Sequence, residues 1–133
     1  MFFWLFPAQN ESTVNTSLIL WLNAGPGISS LFGLFNQIDP LFIDVNGNIQ
    51  LRFIKWNKNY HLLFNDNPVG TGFSFTSNDQ GFARTEDDFA GDLYECLTQV
   101  FQIYIDYASN SFYIAGESFA RKYVPALTYK ILY

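Results

Sequence analysis

At 133 residues, with 49% of them hydrophobic and 20% aromatic, the chain is long enough to bury one modest core and too apolar to stay disordered. A formal net charge of -5 argues against nucleic acid and anionic membrane surfaces as partners, since phosphates and acidic headgroups repel it. Ser, Asn, Asp or Gly interrupts every apolar run before it reaches membrane-spanning length, so no transmembrane segment is expected.

The first six residues, Met1-Phe2-Phe3-Trp4-Leu5-Phe6, are apolar but lack a basic leader and stop at Pro7. They read as a buried strand rather than a signal peptide, and the chain is expected to begin inside a fold. The polar stretch 9–17 resembles a hairpin connection into Leu18-Ile19-Leu20-Trp21-Leu22. Within it, Asn10-Glu11-Ser12 and Asn15-Thr16-Ser17 are N-glycosylation sequons. Asn10 and Asn15 are therefore candidate acceptors, as would suit a loop exposed in the secretory pathway.

Residues 18–22 form a continuous apolar run of the kind that lies covered on both faces of a sheet. The run leads directly into Asn23-Ala24-Gly25-Pro26-Gly27-Ile28-Ser29-Ser30. A strand-to-helix loop with closely spaced glycines exposes backbone N–H groups that can bind a phosphate or a developing oxyanion. Phosphate is disfavoured, because neither the dinucleotide fingerprint nor the Walker pattern fits the spacing.

Farther along, Asn46-Gly47 between apolar flanks in residues 42–53 signals a hairpin, and Trp56-Asn57 begins a connection into a strand at Leu62-Leu63-Phe64. His61, the only histidine, precedes that strand and reads as an ordinary strand-end residue rather than a general base. Residues 67–75 are Gly-rich and turn-like. Thr85-Glu86-Asp87-Asp88 reads as a capped helix start, its acids complementing the positive end of the helix dipole. Phe89, Leu93, Cys96, Leu97, Val100 and Tyr104 recur at helical spacing and define one apolar face. The lone Cys96 can neither close an internal disulfide nor supply a metal site by itself, and reads as a small core residue.

The chemistry concentrates in Phe112-Tyr113-Ile114-Ala115-Gly116-Glu117-Ser118-Phe119-Ala120, a β-prone run that breaks at a glycine and delivers a serine into a helix. This is a nucleophile elbow. A serine hydroxyl needs a base to take its proton, so it must stand on a tight strand-to-helix turn reachable by base and substrate alike. Gly116 and Ala120 supply the small residues that such a close approach requires. Residues 119–133 read as the helix behind the serine, bent at Pro125.

Three stretches together resemble the serine carboxypeptidase family (peptidase S10), and within it the vitellogenic-like carboxypeptidases: residues 20–30, Asn67-Pro68-Val69-Gly70-Thr71-Gly72-Phe73-Ser74-Phe75, and Gly116-Glu117-Ser118-Phe119-Ala120-Arg121-Lys122-Tyr123-Val124-Pro125. The resemblance implies an α/β chain with an incomplete α/β-hydrolase fold. Residues 1–133 would be a partial domain holding the N-terminal half of the sheet and its flanking helices, ending after the nucleophile helix. It implies serine-type carboxypeptidase activity on the C-terminus of a peptide or protein, with no cofactor and no metal. Family members work in lysosomal, vacuolar or extracellular settings.

Carried over position by position, Ser118 would be the nucleophile, and the backbone N–H groups of Gly25 and Phe119 the oxyanion hole. Asn23, Ala24 and Glu117 would meet the substrate's terminal carboxylate. A glutamic acid donates to a carboxylate only when protonated, in keeping with the family's acidic working range. Trp21 matches a position beside this site and reads equally well as a buried strand tryptophan, and residues 67–75 match a stretch near the rim.

Several residues depart from the family pattern. Ala24, Ile28, Asp39 and Arg121 stand where the family usually has smaller residues, and Gln37 stands where it usually has a Glu. Arg121 is expected to need an exit between helix and sheet.

In the family the Asp and His of the triad follow the serine. This polypeptide alone is therefore expected to be catalytically incompetent, and the elbow strand to have a bare apolar edge that favours aggregation or a partner. Two readings stay open: the N-terminal portion of a serine carboxypeptidase, or a non-catalytic product that binds peptides or proteins or has no selected function.

Overall fold

The computed structural model of the chain describes residues 1–10, 16–23, 25–38 and 40–133. Its main sheet has four strands in the order β1-β5-β2-β6. These are β1 (Phe3–Phe6), β2 (Leu18–Leu22), β5 (His61–Asn65) and β6 (Phe112–Gly116). Strands β2, β5 and β6 run parallel, and β1 is antiparallel to β5.

Burial at all five positions of β2 follows from what lies on each face. Leu18, Leu20 and Leu22 join a core with Leu63, with Phe89, Leu93, Leu97 and Val100 of α2 (Glu86–Ile103), and with Tyr123 and Leu127 of α3 (Ala120–Leu132). Ile19 and Trp21 point the other way, into a smaller core with Leu62, Phe64 and Leu34. Leu34 belongs to a helical segment made of the short α1 (Leu31–Gly33) and a π-helical turn (Leu34–Ile38). Alternation across a sheet covered on both sides thus explains an uninterrupted apolar run.

The hairpin expected across residues 9–17 is not there. β5 lies between β1 and β2, and β1 pairs with it in the register Phe3↔Asn65 to Phe6↔Leu62. The parallel pairing of β5 with β2 takes the edge that β1 would have used. β1 is consequently an edge strand, half-buried, with Trp4 41% exposed rather than covered.

The Asn46-Gly47 hairpin does form, as a separate two-stranded sheet of β3 (Leu41–Ile43) and β4 (Ile49–Leu51). Its turn is held by Asp44, whose Oδ1 accepts the Asn46 and Asn48 N–H groups at 2.9 Å each. Gly47 takes a φ of +82° there.

Helix α2 opens with a reciprocal capping box. The Thr85 hydroxyl accepts the Asp88 N–H at 3.2 Å, and Asp88 Oδ2 accepts the Thr85 N–H at 2.9 Å. Cys96 is buried on its inner face, and burial pushes its thiol above the usual range. Tyr104 leaves that face. It caps the helix C-terminus, 39% exposed, with its ring edge-on to Phe3. Helix α3 runs from Ala120 to Leu132 without interruption at Pro125. No described helix is long and apolar enough to cross a membrane.

On its far side β6 has no described partner, and Tyr113 on it is 57% exposed. At the opposite end of the sheet from the elbow, His61 pairs with Leu18 and is 2% exposed. Its Nδ1 accepts the Ala8 N–H at 2.9 Å, and its ring meets Tyr107 edge-on at 4.7 Å. Protonation of Nδ1 would set two donors against each other in a desolvated place, and burial accordingly lowers the His61 pKa below 6.5.

The folded state therefore favours the neutral ring. Its contribution is fully present above the unfolded value near 6.5 and is lost as pH falls from there through the lowered folded value. In His61→Asn the amide oxygen can still accept the Ala8 N–H but does not titrate. Urea midpoints measured on the alkaline side and near pH ~5 should fall more for the natural chain than for this variant; parallel falls would contradict the account.

Candidate active site

The parallel register sets Leu22 opposite Gly116, so the loops that start at Asn23 and Glu117 leave the same edge of the sheet side by side. The Glu117 N–H extends this pairing by donating to the Leu22 carbonyl at 3.1 Å. A Cβ at Gly116 would collide with that carbonyl oxygen and come within 2.6 Å of the Ala120 methyl. Only glycine lets strand, neighbour and helix approach so closely.

Ser118 follows on the turn between β6 and α3 with φ +58°, the left-handed region that residues with a Cβ avoid. Holding it there costs on the order of 1–3 kcal/mol, which the flanking strand and helix must offset. The turn is closed by Ala120 N–H donating to the Glu117 carbonyl at 3.0 Å and Arg121 N–H donating to the Ser118 carbonyl at 3.1 Å. Ser118 is exposed. Among the described residues none hydrogen-bonds its hydroxyl, and the N–H groups of Gly25 and Phe119 have no described acceptor.

A polar knot lies beside the turn. Asn23, 2% exposed, uses all its hydrogen-bonding capacity. Its Oδ1 accepts from Trp21 Nε1 at 2.7 Å and from the Gly33 N–H at 2.9 Å. Its Nδ2 donates to Gln37 Oε1 and Glu117 Oε2, both at 3.1 Å. Gln37 Nε2 donates to the same Glu117 oxygen. The main-chain N–H of Asn23 donates to Ser30 Oγ at 3.0 Å. The knot thus joins α1, the turn that follows it, β2 and the elbow.

A second tie fixes the Gly-rich loop. Asp66, just beyond β5 and 1% exposed, accepts from the Ser29 hydroxyl at 2.6 Å and the Ser30 N–H at 2.9 Å through Oδ1. Its Oδ2 accepts the Phe73 N–H at 2.9 Å. Gly72, at φ +54°, is pressed against it, since a Cβ there would run into the carboxylate. Residues 25–30 and 67–75 are thereby bound to one buried carboxylate.

These contacts sort the residues singled out in the sequence. Ser118, Gly25, Phe119, Asn23, Glu117 and Trp21 gather at the C-terminal edge of β2 and β6. His61 lies at the other end of the sheet, and Asp66, on the near edge, is engaged by Ser29, Ser30 and Phe73. Ala24, Asp39 and Asn15 lie outside the described residues. Asn10 is exposed, with its amide donating to Asn59 Oδ1 at 2.7 Å. Arg121 needs no internal exit, because it stands exposed in the first turn of α3. Ile28 leans over Gly25, its Cγ1 3.0 Å from where a Cβ there would stand.

Gly33, Ser30 and Asp66 went unrecognised in the sequence. The available signals were a glycine inside an apolar helical run and an acid directly after a buried strand. Among the described residues no three His, Cys, Asp or Glu side chains group as a metal site.

Comparison with known proteins matches residues 1–133 to the serine carboxypeptidase family profile. The chain is 50% identical over 131 residues to the probable serine carboxypeptidase CPVL of Rattus norvegicus, covering 98% of this chain and 27% of that protein. It is 40% identical over 131 residues to the vitellogenic carboxypeptidase of Aedes aegypti, covering 98% of this chain and 28% of that one. The crystal structure of Kex1(delta)p, a prohormone-processing carboxypeptidase from Saccharomyces cerevisiae, superposes with a TM-score of 0.89 at 32% identity, over 98% of this chain and 29% of that one. The chain thus spans little more than a quarter of the length of these relatives, and its sheet and helices form part of an α/β-hydrolase fold.

Gly33→Ala tests the knot directly. The added methyl would collide with Trp21 Nε1 and Asn23 Oδ1, so the variant should lose about 1–3 kcal/mol of stability in urea unfolding and shift the near-ultraviolet signal of the indole. An unchanged midpoint and spectrum would contradict the packing described.

Proposed function

The chain belongs to the serine carboxypeptidase family, and from that premise we propose that its site serves acyl transfer at the C-terminus of peptides. In this reading Ser118 attacks the carbonyl carbon of the last peptide bond, and the Gly25 and Phe119 N–H groups receive the oxygen on which negative charge develops. In the same reading Ala24, Glu117 and Gln37 meet the end group of the peptide, and Asn23, whose side-chain hydrogen bonds are all taken, holds Gln37 and Glu117 in place. The acyl group passes to Ser118, the terminal residue leaves, and water then releases the acyl group. One oxyanion donor is typically worth about 2.7–4 kcal/mol of barrier.

The observation that carries the reading is the φ of +58° at Ser118, on a turn that a Cβ at Gly116 would disrupt. Backbone strain at an exposed serine is expected where presentation of the hydroxyl matters more than stability.

For the 133-residue polypeptide by itself the reading is binding without turnover. Its single histidine, His61, accepts from Ala8 at the far end of the sheet, and the Asp66 carboxylate is taken up by Ser29, Ser30 and Phe73. Nothing described takes the proton of Ser118. Residual acceleration without a triad is roughly 10³–10⁴-fold over water. Its setting would be the secretory pathway, with the exposed Asn10 as a glycosylation acceptor.

A chimera tests the catalytic part. Residues 1–133 of this chain replace the matching segment of the rat relative, and hydrolysis of a blocked peptide ester is followed, because an ester needs no free terminal carboxylate. The chimera should turn over and lose about 10⁴-fold or more on Ser118→Ala, while the polypeptide alone should not differ from its own Ser118→Ala variant. A chimera whose turnover survives the loss of Ser118 would overturn the reading.

A further inference from the structure

We propose that Asp66 is a positioning residue for the acyl transfer: through Ser29 and Ser30 it sets where the Gly25 N–H stands, and so how well that group meets the oxygen on which charge develops. This rests on the reading just given, that the Gly25 N–H is an oxyanion donor.

The loop that carries Gly25 is held at its ends. The Asn23 N–H donates to Ser30 Oγ at 3.0 Å, so both ends of the loop come together at one fully buried residue. Between them Gly25, Pro26, Gly27 and Ile28 are exposed, and among the described residues none hydrogen-bonds their main-chain groups. Their place is inherited from Asn23 on one side and from Ser29 and Ser30 on the other.

Ser29 and Ser30 take their own places from Asp66. The Ser29 oxygen accepts the Leu31 N–H at 3.1 Å and sends its hydrogen to Asp66 Oδ1 at 2.6 Å, and the Ser30 N–H reaches the same oxygen at 2.9 Å. Asp66 is in turn fixed by Phe2, ahead of β1, and by the loop that follows β5. Its N–H donates to the Phe2 carbonyl at 3.1 Å, its carbonyl accepts the Ser74 hydroxyl at 2.6 Å, and Ser74 Oγ accepts the Phe2 N–H at 2.8 Å. The Phe73 N–H occupies Oδ2 at 2.9 Å.

A carboxylate serves all three donors because it only accepts. An amide oxygen in its place can keep Ser29 and Ser30, while the NH2 beside it faces the Phe73 N–H, donor against donor. A methyl keeps none of them and leaves the Gly25 loop tied at Asn23 alone. Misplacement of a group at a reacting centre by about 1 Å costs on the order of 10²-fold in rate, and outright loss of one oxyanion donor about 10²–10³-fold.

The test uses the chimera described above, its turnover of the blocked ester, and two inhibitors built on one peptide. One ends in an aldehyde, which adds to Ser118 as a hemiacetal and places an oxygen at the oxyanion donors; the other ends in the matching alcohol, which forms no adduct. Asp66→Ala should lower kcat about 10²-fold and weaken the aldehyde by a similar factor while the alcohol binds as before, and Asp66→Asn should recover most of both losses. Ser29→Ala, which leaves the carboxylate in place, is the second variant and decides the matter if Asp66→Ala does not fold; it should shift kcat and the aldehyde together, by about tenfold. Aldehyde and alcohol weakened alike, or kcat unchanged in the variants that fold, would overturn the positioning role alone. A chimera that does not turn over with Asp66 in place would overturn it together with the acyl-transfer reading.

Discussion

Parallel pairing of β2 with β6, in the register that sets Leu22 opposite Gly116, fixes how near the two loops of the site can come. A glycine at 116 is what permits the contact, because any side chain would strike the Leu22 carbonyl. From that contact follow the abrupt turn, the left-handed backbone at Ser118, and the position of Glu117 within reach of Asn23 and Gln37. The helix supports the turn from behind, with Ala120, Tyr123 and Leu127 buried against β2 and α2.

Two buried polar groups hold the rest of the rim. Asn23 is an amide with every bond satisfied, and Asp66 a carboxylate with three donors. Leaving a group of this kind unpaired costs about 1–3 kcal/mol, and more for a charge, so each arrangement is specified strongly. The price of that rigidity is close packing at Gly33 and Gly72, where no side chain fits. The outcome is a rim set before any ligand arrives.

Much of the fold was legible because its signals are local. Thr85 and Asp88 announce a capping box, Asn46-Gly47 a hairpin, and the apolar stripe from Phe89 to Val100 a helix face. The elbow shows itself in Gly116, Ser118 and Ala120. The partner of β1 was not legible, since an aromatic apolar run says that Phe3 to Phe6 is a strand without saying which edge it joins. Asp66 hid for a similar reason: its donors at Ser29 and Ser30 lie 37 and 36 residues away in the chain. Gly33 went unrecognised because its crowding comes from the side chains of Trp21 and Asn23, 12 and 10 residues earlier in the chain. Tyr104 kept the helical period but fell at the cap, where the face ends.

The central proposal is that this polypeptide presents Ser118 in the geometry of an acyl-transfer nucleophile with, among the described residues, no group placed to take its proton. The most direct measurement is the rate and site of reaction of the purified chain with a fluorophosphonate, followed by intact mass and peptide mapping. The account predicts labelling at Ser118 no faster than at other exposed serines. Rapid, stoichiometric modification at Ser118 that disappears on unfolding would contradict it.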